Sequence, residues 1–424
     1  MKKKVIVKAP ALSASGYGEH ARFVLRSLKA REDLFDIYLH NINWGKTSWI
    51  FDDDEERRWL DQLIKKTATF LEATKGSVPF DISLQVTIPN EFEKIATTNI
   101  GVTAGIETNK VAPQWLQKVN EMDKLVVVSN HAKYGFENTK YPLMDDKQNH
   151  VADLKCEIPV EVVGYPVREF EKADVDFNFD TSFNFLTVAL WGQRKNMVKN
   201  IENFVEEFMD EEDVGLILKT SITSGSTYDK LDMRVVLENI LKKYPERKCK
   251  VYLLHGRLDD SEMSALYQHE SVKCMLSVAH GEGFGLPLFE AACVGLPIVA
   301  TDWSGQTDFL YAPQKDKKGK ERMKGLFGKI SYDLLQVQQE SVWEGVIVPD
   351  SMWAYPKDSS VKDKMRGVFK NYQLAVNKAK KLKTHVQTAF ASDTMHEKMA
   401  DAAYPEEERK LHDEINDMFE ELNL

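Results

Sequence analysis

The chain has 424 residues, of which 43% are hydrophobic and 29% charged, and its formal net charge is −10. That length suits two domains, and the composition leaves no case for global disorder. No apolar run approaches the length of a membrane span, and the acidic balance argues against a protein that coats nucleic acid through its overall field. Cys156, Cys249, Cys274 and Cys293 show no CxxC spacing and read as free thiols in a reducing cytoplasm, not as a metal or disulfide set.

The N-terminus, Met1 to Lys4 followed by Val5-Ile6-Val7, is too short in its apolar part for a signal peptide and reads as a first strand. Further candidate strands of the first half are Asp36–Asn41, Ile82–Thr87, Asn99–Thr103, Lys124–Ser129 and Val160–Gly164. After the first strand come Gly16-Tyr17-Gly18 and a helix with Ala21, Val24, Leu25 and Leu28 on one face. A strand, a glycine turn and a helix begin a doubly wound sheet, but the GxGxxG fingerprint is incomplete. Asp52 to Glu56 contains Asp-x-Asp, yet it precedes an amphipathic stretch, where acidic residues complement a helix dipole. Glu107 and Thr108 lie on a polar loop at a strand's C-terminal end, where open α/β sheets bind ligands. Capping of the helix that starts near Pro113 is the other reading of that loop. Ser129 begins a helix cap, with His131 a surface helix residue. Residues 141–155 read as a loop and 168–183 as an interdomain linker.

The pattern then starts over. Strands are expected at Asn184–Gly192, Val214–Thr220, Cys249–His255 and Lys273–Val278, with helices after Asn196 and near 230–243 and 261–268. Arg194 and Lys195 sit on the loop after the first of these strands, and a basic pair there opposes the dipole of the helix it opens. Lys219 ends an apolar strand and either looks into the cleft or snorkels from it. Trp303 to Asp308 opens another helix, with backbone N–H groups free for a ligand or for capping. Lys315, Lys317, Lys318, Lys320, Arg322 and Lys324 crowd a segment whose default reading is a solvated loop. The tail is helical, first over Val361 to Thr384 and then, past Pro405, as an acidic helix from Glu406 to Leu424.

The densest signal is residues 271–310. An apolar strand breaks into His280-Gly281-Glu282-Gly283-Phe284-Gly285, Pro287 marks a helix start, Gly295 its end, and Pro297 to Thr301 is a further strand. Glycines permit close approach, and the N–H groups of a helix start favour an anion. Glu282 on the loop and Glu290, placed in the helix's first turn, would repel phosphate but accept from hydroxyls. A nucleotide sugar offers both chemistries.

Two glutamates separated by seven residues inside GEGFGLPLFEAACVGLPIVAT resemble the signature of the family-4 retaining glycosyltransferases, which have the GT-B fold. The resemblance implies an α/β chain of two Rossmann-like lobes facing a central cleft. An N-terminal domain over 1–167 and a linker over 168–183 would precede a nucleotide-sugar domain over 184–395, and residues 396–424 would cross back onto the N-lobe. It implies that Lys195 and Arg194 hold a diphosphate, with Lys199 as a substitute for Arg194. Glu290 would accept from the ribose. Glu282 and the backbone of Gly283, Phe284, Gly285 and Leu286 would hold sugar hydroxyls and phosphate. Gly256 and Arg257 would lie near the base. Gly16, Tyr17 and Gly18 would face the donor phosphates or the acceptor, or form only a tight turn. Glu107 would reach the transferred sugar. His280 either donates to phosphate or sugar or locks the loop. The co-substrate would be a nucleotide-diphosphate sugar, by default a UDP-sugar, with no metal required and no tightly bound cofactor.

The wording of LSASGYGEHARFVLRSL, GVTAGIETNKVAPQW and LLHGRL resembles glycosyltransferases of large tailed phages, some of which modify hydroxymethylated pyrimidines in DNA. DNA is therefore one expected acceptor, and the segment at 315–324 is its candidate contact. A nucleotide-sugar epimerase and a non-catalytic sugar-nucleotide-binding protein are the rival classes. The acceptor and the oligomeric state stay open.

Overall fold

The computed structural model describes residues 2–424 except 46, 170, 224, 317, 406, 412, 413 and 415–424. The N-terminal half contains β1 (Lys3–Ala9), α1 (Gly16–Lys29), β2 (Phe35–Asn41), α2 (Glu55–Thr74), β3 (Phe80–Val86) and β4 (Ala96–Thr103). It continues with α3 (Pro113–Val119), β5 (Lys124–Val127), α4 (Asn130–Asn138), a hairpin of β6 (Tyr141–Met144) and β7 (His150–Leu154), and β8 (Val160–Val162). Six strands form one parallel sheet in the order β2-β1-β3-β4-β5-β8. Consecutive residues of β1 and β3 are buried, including the polar Ser83 and Gln85, as in a sheet covered on both faces. Ser15 caps α1 by accepting from the Gly18 N–H (3.1 Å), and Ala21, Val24, Leu25 and Leu28 are buried, as their spacing predicts. Asp54 caps α2, accepting from the Arg57 N–H (2.7 Å), so this member of the acidic run serves a helix start.

The C-terminal half repeats the plan. Its elements are β9 (Phe183–Val188), α5 (Met197–Phe208), β10 (Val214–Lys219), α6 (Thr227–Leu241), β11 (Lys250–Leu254), α7 (Asp260–Tyr267), β12 (Val272–Ser277), α8 (Leu286–Val294), β13 (Ile298–Thr301) and the single turn α9 (Thr307–Leu310). After it come a hairpin of β14 (Tyr311–Lys315) and β15 (Glu321–Gly325), the short β16 (Gly328–Ile330), and a second hairpin of β17 (Tyr332–Gln336) and β18 (Met352–Pro356). The parallel sheet runs β11-β10-β9-β12-β13-β16. In order of appearance that is 3-2-1-4-5-6, the arrangement of dinucleotide-binding sheets, with its switch point between β9 and β12. Arg194-Lys195 follow β9 and the glycine loop follows β12, so the topology brings both loops to one crevice.

Three helices close the described chain: α10 (Asp358–Lys370), α11 (Tyr372–Ala389) and α12 (Ser392–Ala403). The helix expected over Val361 to Thr384 is thus two, divided at Asn371, whose φ of −125° and ψ of 46° leave the helical region. α12 returns to the N-lobe and packs on α1, where His396 Nδ1 lies 2.9 Å from Ser27 Oγ and the His396 and Phe23 rings are 5.4 Å apart. The acidic helix expected from Glu406, with Ile415, Met418, Phe419 and Leu422 on one side, falls mostly outside the described residues.

Two expected loops are hairpins. In residues 141–155 the Asp145 carboxylate accepts from the N–H groups of Lys147 and Asn149 (both 2.8 Å) and ties a turn between β6 and β7. The basic segment forms β14 and β15, with Asp316 accepting from the N–H groups of Lys318 (2.8 Å) and Lys320 (3.0 Å) in the turn. Lys317 lies outside the described residues. Neither pattern stood out because both faces of such protruding ribbons are wet, which removes the apolar alternation. The expected linker is also more than a connection: Phe177 and Phe179 stack in parallel, and Phe179 meets His269 edge-on at 5.3 Å.

Candidate functional site

Four charged side chains meet where the lobes face each other. Lys195 Nζ donates to Glu282 Oε1 (2.5 Å), Arg194 Nη1 donates to Glu282 Oε2 (3.0 Å), and Arg194 Nε stands 3.2 Å from Glu107 Oε1. Arg194 Nη1 also donates to the Gly281 carbonyl (2.8 Å). Both cations lie on a 3-10 turn after β9, which Asn196 ends in the left-handed region at φ 53°. Asn196 then opens α5 without a side-chain cap.

The electrostatics are those of a self-neutralised buried cluster. Burial works against the Glu282 carboxylate, but Lys195 and Arg194 outweigh it and hold the carboxyl below its ordinary range. Burial, then the neighbouring Arg194, pulls the Lys195 ammonium down despite Glu282. Burial also opposes the Arg194 charge, but Glu107 and Glu282 more than compensate, so its pKa rises.

The glycines here have a role the sequence did not show. Only Gly285 of the three-glycine loop has a positive φ (94°), as the cap of α8. Gly281 and Gly283 instead let the lobes touch. A Cβ on Gly281 would come within 2.6 Å of the Glu107 carbonyl oxygen, and one on Gly283 within 2.8 Å of the Ala104 carbonyl oxygen. Ser304, at φ 70°, adds a hold missed by sequence reasoning: its Oγ accepts from the Glu282 N–H (2.8 Å). The Gly305 N–H donates to the Glu282 carbonyl (2.9 Å). The N–H groups of Thr307 and Asp308 go to the carbonyls of Ser304 (3.1 Å) and Gly305 (3.2 Å), so of the two readings of 303–308 these N–H groups, with that of Gly305, serve the loop and helix start and not a ligand. A non-glycine residue in the left-handed region leaves no mark in a sequence, so Ser304 carried no signal.

Glu290 is not in this cluster. α8 begins at Leu286, so Glu290 stands one turn in and not in the first turn. Its side chain lines a separate cavity of about 280 Å³ with Glu19, Arg168 and Tyr267. The Tyr267 hydroxyl donates to Glu290 Oε2 (2.8 Å). The surrounding protein mass, against that bond and with help from Asp260 and Glu19, pushes the Glu290 carboxyl up to about 7. Across the same cavity Glu19 goes the other way: burial opposes its charge, but Arg168, Arg26 and Arg22 pull it down to about 2.

The other sequence candidates divide. His280 is buried and turned towards β18: its Nδ1 lies 2.6 Å from the Ala354 carbonyl oxygen and its ring stacks on Trp353 at 4.8 Å, so it locks the loop. The Phe284 ring sits among Tyr165, Phe289 and Phe309, each with centroids 5.0–5.1 Å away, and is core, leaving only its backbone for a ligand. Lys199 pairs with Glu202 and Asp358 (both 3.5 Å) on the outer side of α5 and cannot replace Arg194. Gly16, Tyr17 and Gly18 form the first turn of α1. The Tyr17 hydroxyl lies 2.8 Å from Thr103 Oγ1, and a Cβ on Gly18 would strike the Ser13 carbonyl oxygen at 1.9 Å. Thr108 is buried and bonds the Lys110 carbonyl (2.8 Å). Gly256 accepts from Lys219 Nζ, and Arg257 forms an ion pair across the lobes with Asp52. His131 is not a surface residue: its ring meets Trp303 edge-on at 5.0 Å, and burial lowers its pKa to about 4.

Residues 240–314, which carry Glu282 and Glu290, match the family model described as glycosyl transferases group 1. The fold is the GT-B fold. It is similar over 94% of this chain to sucrose-phosphate synthase from Thermosynechococcus elongatus, with 98% of that chain covered, a TM-score of 0.60 and 11% identity. HepE from Anabaena, in complex with UDP and glucose, is similar over 94% of this chain and 98% of its own, with a TM-score of 0.55 and 12% identity. The E. coli trehalose-6-phosphate protein bound with UDP-2-fluoro glucose is similar over 95% of this chain and 99% of its own, with a TM-score of 0.53 and 11% identity. No curated protein matches the chain by sequence.

Proposed function

We propose that this chain is a retaining glycosyltransferase that moves a sugar from a nucleotide-diphosphate sugar, by default a UDP-sugar, to a hydroxyl acceptor. The observation that carries the reading is the cluster of Arg194 and Lys195 on Glu282 at the switch point, beside the start of α8. The family match over 240–314 supports it, as do the UDP and UDP-sugar held by two proteins of the same fold. In this reading Lys195, Arg194 and the first N–H groups of α8 take the diphosphate and stabilise the charge it gains as it leaves, a large catalytic contribution when donors are fixed in advance. Glu282, freed from the cations, orients the sugar. The bond from C1 to the phosphate oxygen breaks, the acceptor oxygen bonds C1 from the same face, and its proton passes to the departing phosphate oxygen. Glu290 accepts from the ribose in the cavity behind α8.

The test is a thermal-shift panel of nucleoside diphosphates, followed by labelled transfer and assignment of the product anomer. Stabilisation by a nucleoside diphosphate that Lys195→Ala abolishes is the expected result. A melting temperature that no nucleoside diphosphate moves would sink the reading, and an inverted anomer would sink its retaining part.

A further inference from the structure

A second cavity shares no lining residue with the one that Glu290 lines. It measures about 800 Å³ and lies between α4 of the N-lobe and the loop and hairpin of the C-lobe that carry Trp303 and Tyr332. Its back wall belongs to the charged cluster. Trp303 Nε1 lies 3.4 Å from the Glu107 carbonyl oxygen, and the next residue, Ser304, holds the Glu282 N–H. The cavity thus shares Trp303 and Ser304 with the loop that anchors the cluster.

The lining has a chemistry of its own. Trp303, Tyr134 and Tyr332 contribute aromatic faces, and Tyr134 is 60% exposed. The Trp303 ring is held from two sides, edge-on by His131 at 5.0 Å and by Tyr332 at 5.7 Å. Asn138 adds an amide group at the rim, whereas Thr139 is buried with its hydroxyl donating to the Gly135 carbonyl (2.6 Å). The charged residues balance: Lys110 and Lys140 stand against Asp302 and Asp308. Lys110 is already paired with Asp350, and Asp308 accepts from the Asn130 N–H (2.7 Å). A surface that binds a phosphate backbone needs an excess of free cations, which this lining lacks. Rigid aromatic faces with scattered hydrogen-bonding groups and no net charge suit a neutral polyhydroxylated ring, whose C–H faces pack on the aromatics while its hydroxyls reach the polar rim.

We infer that this cavity is the acceptor subsite and that it takes a neutral glycan, seated on Trp303 and Tyr134. The inference rests on the transferase reading and names the acceptor class for it. It also moves the entrance from Gly16–Tyr17, which the fold uses to brace Thr103, to the α4 side of Glu107. The basic ribbon of β14 and β15 is then not the acceptor site.

The experiment measures binding of maltotriose, cellotriose, chitotriose and mannotriose by saturation-transfer NMR, with UDP affinity followed in parallel. A duplex DNA oligonucleotide and phosphatidylglycerol vesicles are the comparators. Two variants at exposed lining positions are used, Tyr134→Ala to remove a face and Asn138→Trp to fill the rim. At least one trisaccharide is expected to bind, and Tyr134→Ala to weaken it about tenfold, the scale of one aromatic contact. UDP affinity should stay unchanged in both variants. The inference is overturned if no trisaccharide binds while UDP does, or if neither variant alters trisaccharide affinity. Binding of DNA or vesicles that depends on Tyr134 overturns it in favour of that acceptor. Trisaccharide binding with no UDP binding removes the acceptor role and the transferase reading together.

Discussion

Lys195 Nζ lies 2.5 Å from Glu282 Oε1, a contact that spans 87 positions of chain and joins the loops after β9 and β12. It places a buried ammonium where a leaving diphosphate would need one. Lys195→Ala is expected to lower kcat on the order of 10²- to 10³-fold, the range seen when one fixed donor to a developing charge is removed. The fold should survive, because Arg194 still pairs Glu282. The stability loss should stay near 1–3 kcal/mol, below the 3–5 kcal/mol typical of a buried charge left alone. Steady-state kinetics and urea denaturation read the two effects.

Glu290 supplies a pH prediction. Its carboxyl stands at about 7 in the folded chain against an ordinary 4.5. A raised folded value means the native state holds the proton more tightly. The associated stability is therefore full below about pH 4.5 and is lost as pH rises through 7. The melting temperature of the wild type relative to Glu290→Gln should fall across that window. Affinity for UDP should rise more steeply over the upper part of it in the wild type, as the carboxylate forms, than in Glu290→Gln, where only the ionisation of the UDP phosphate remains. Thermal melts and calorimetric titration at stepped pH check both.

Gly281 and Gly283 are two of the points where the lobes touch. Gly281→Ala puts a methyl 2.6 Å from the Glu107 carbonyl oxygen, and because that obstacle is backbone the lobes must part. One buried apolar cluster runs through both lobes, so parting them should also lower the melting temperature. Turnover should drop about 10²-fold, the usual consequence of moving catalytic groups by an ångström. An increased radius of gyration in small-angle scattering accompanies the loss. Full activity with unchanged scattering would mean that closure does not matter to the reaction.

Ser304 combines a left-handed φ of 70° with a hydrogen bond to the Glu282 N–H. Ser304→Gly removes the bond but relieves the backbone, whereas Ser304→Ala removes the bond and keeps the unfavourable φ. Ala should therefore be less stable than Gly by about 1 kcal/mol. Both variants should lower turnover, since Glu282 loses a fixed anchor. Denaturant midpoints and kcat separate the effects.

Much of the fold was legible because it is written in local pattern. Apolar runs of strand length, Pro287 at a helix start and Gly295 at its end place β12, α8 and β13 within a residue or two. The protruding hairpins were not legible, because ribbons wet on both faces carry no alternation. Among site residues, Arg194, Lys195, Glu107 and Glu282 were all named from their positions at strand ends, and the structure brings them together. Lys199 was named by the same logic and points elsewhere, because one helical turn rotates it to the outer face of α5.

By itself the sequence determined two α/β lobes, most strands of their parallel sheets and a loop of glycines and carboxylates at a helix start. Those features depend on residues a few positions apart, and periodicity and turn chemistry report on that range. Tertiary structure alone decided that Glu282 closes on Arg194 and Lys195, that Glu290 faces a different cavity, and that Trp303 reaches the Glu107 carbonyl 196 positions away. Each of these follows from how the two lobes pack against each other, and no local pattern encodes the distance between them.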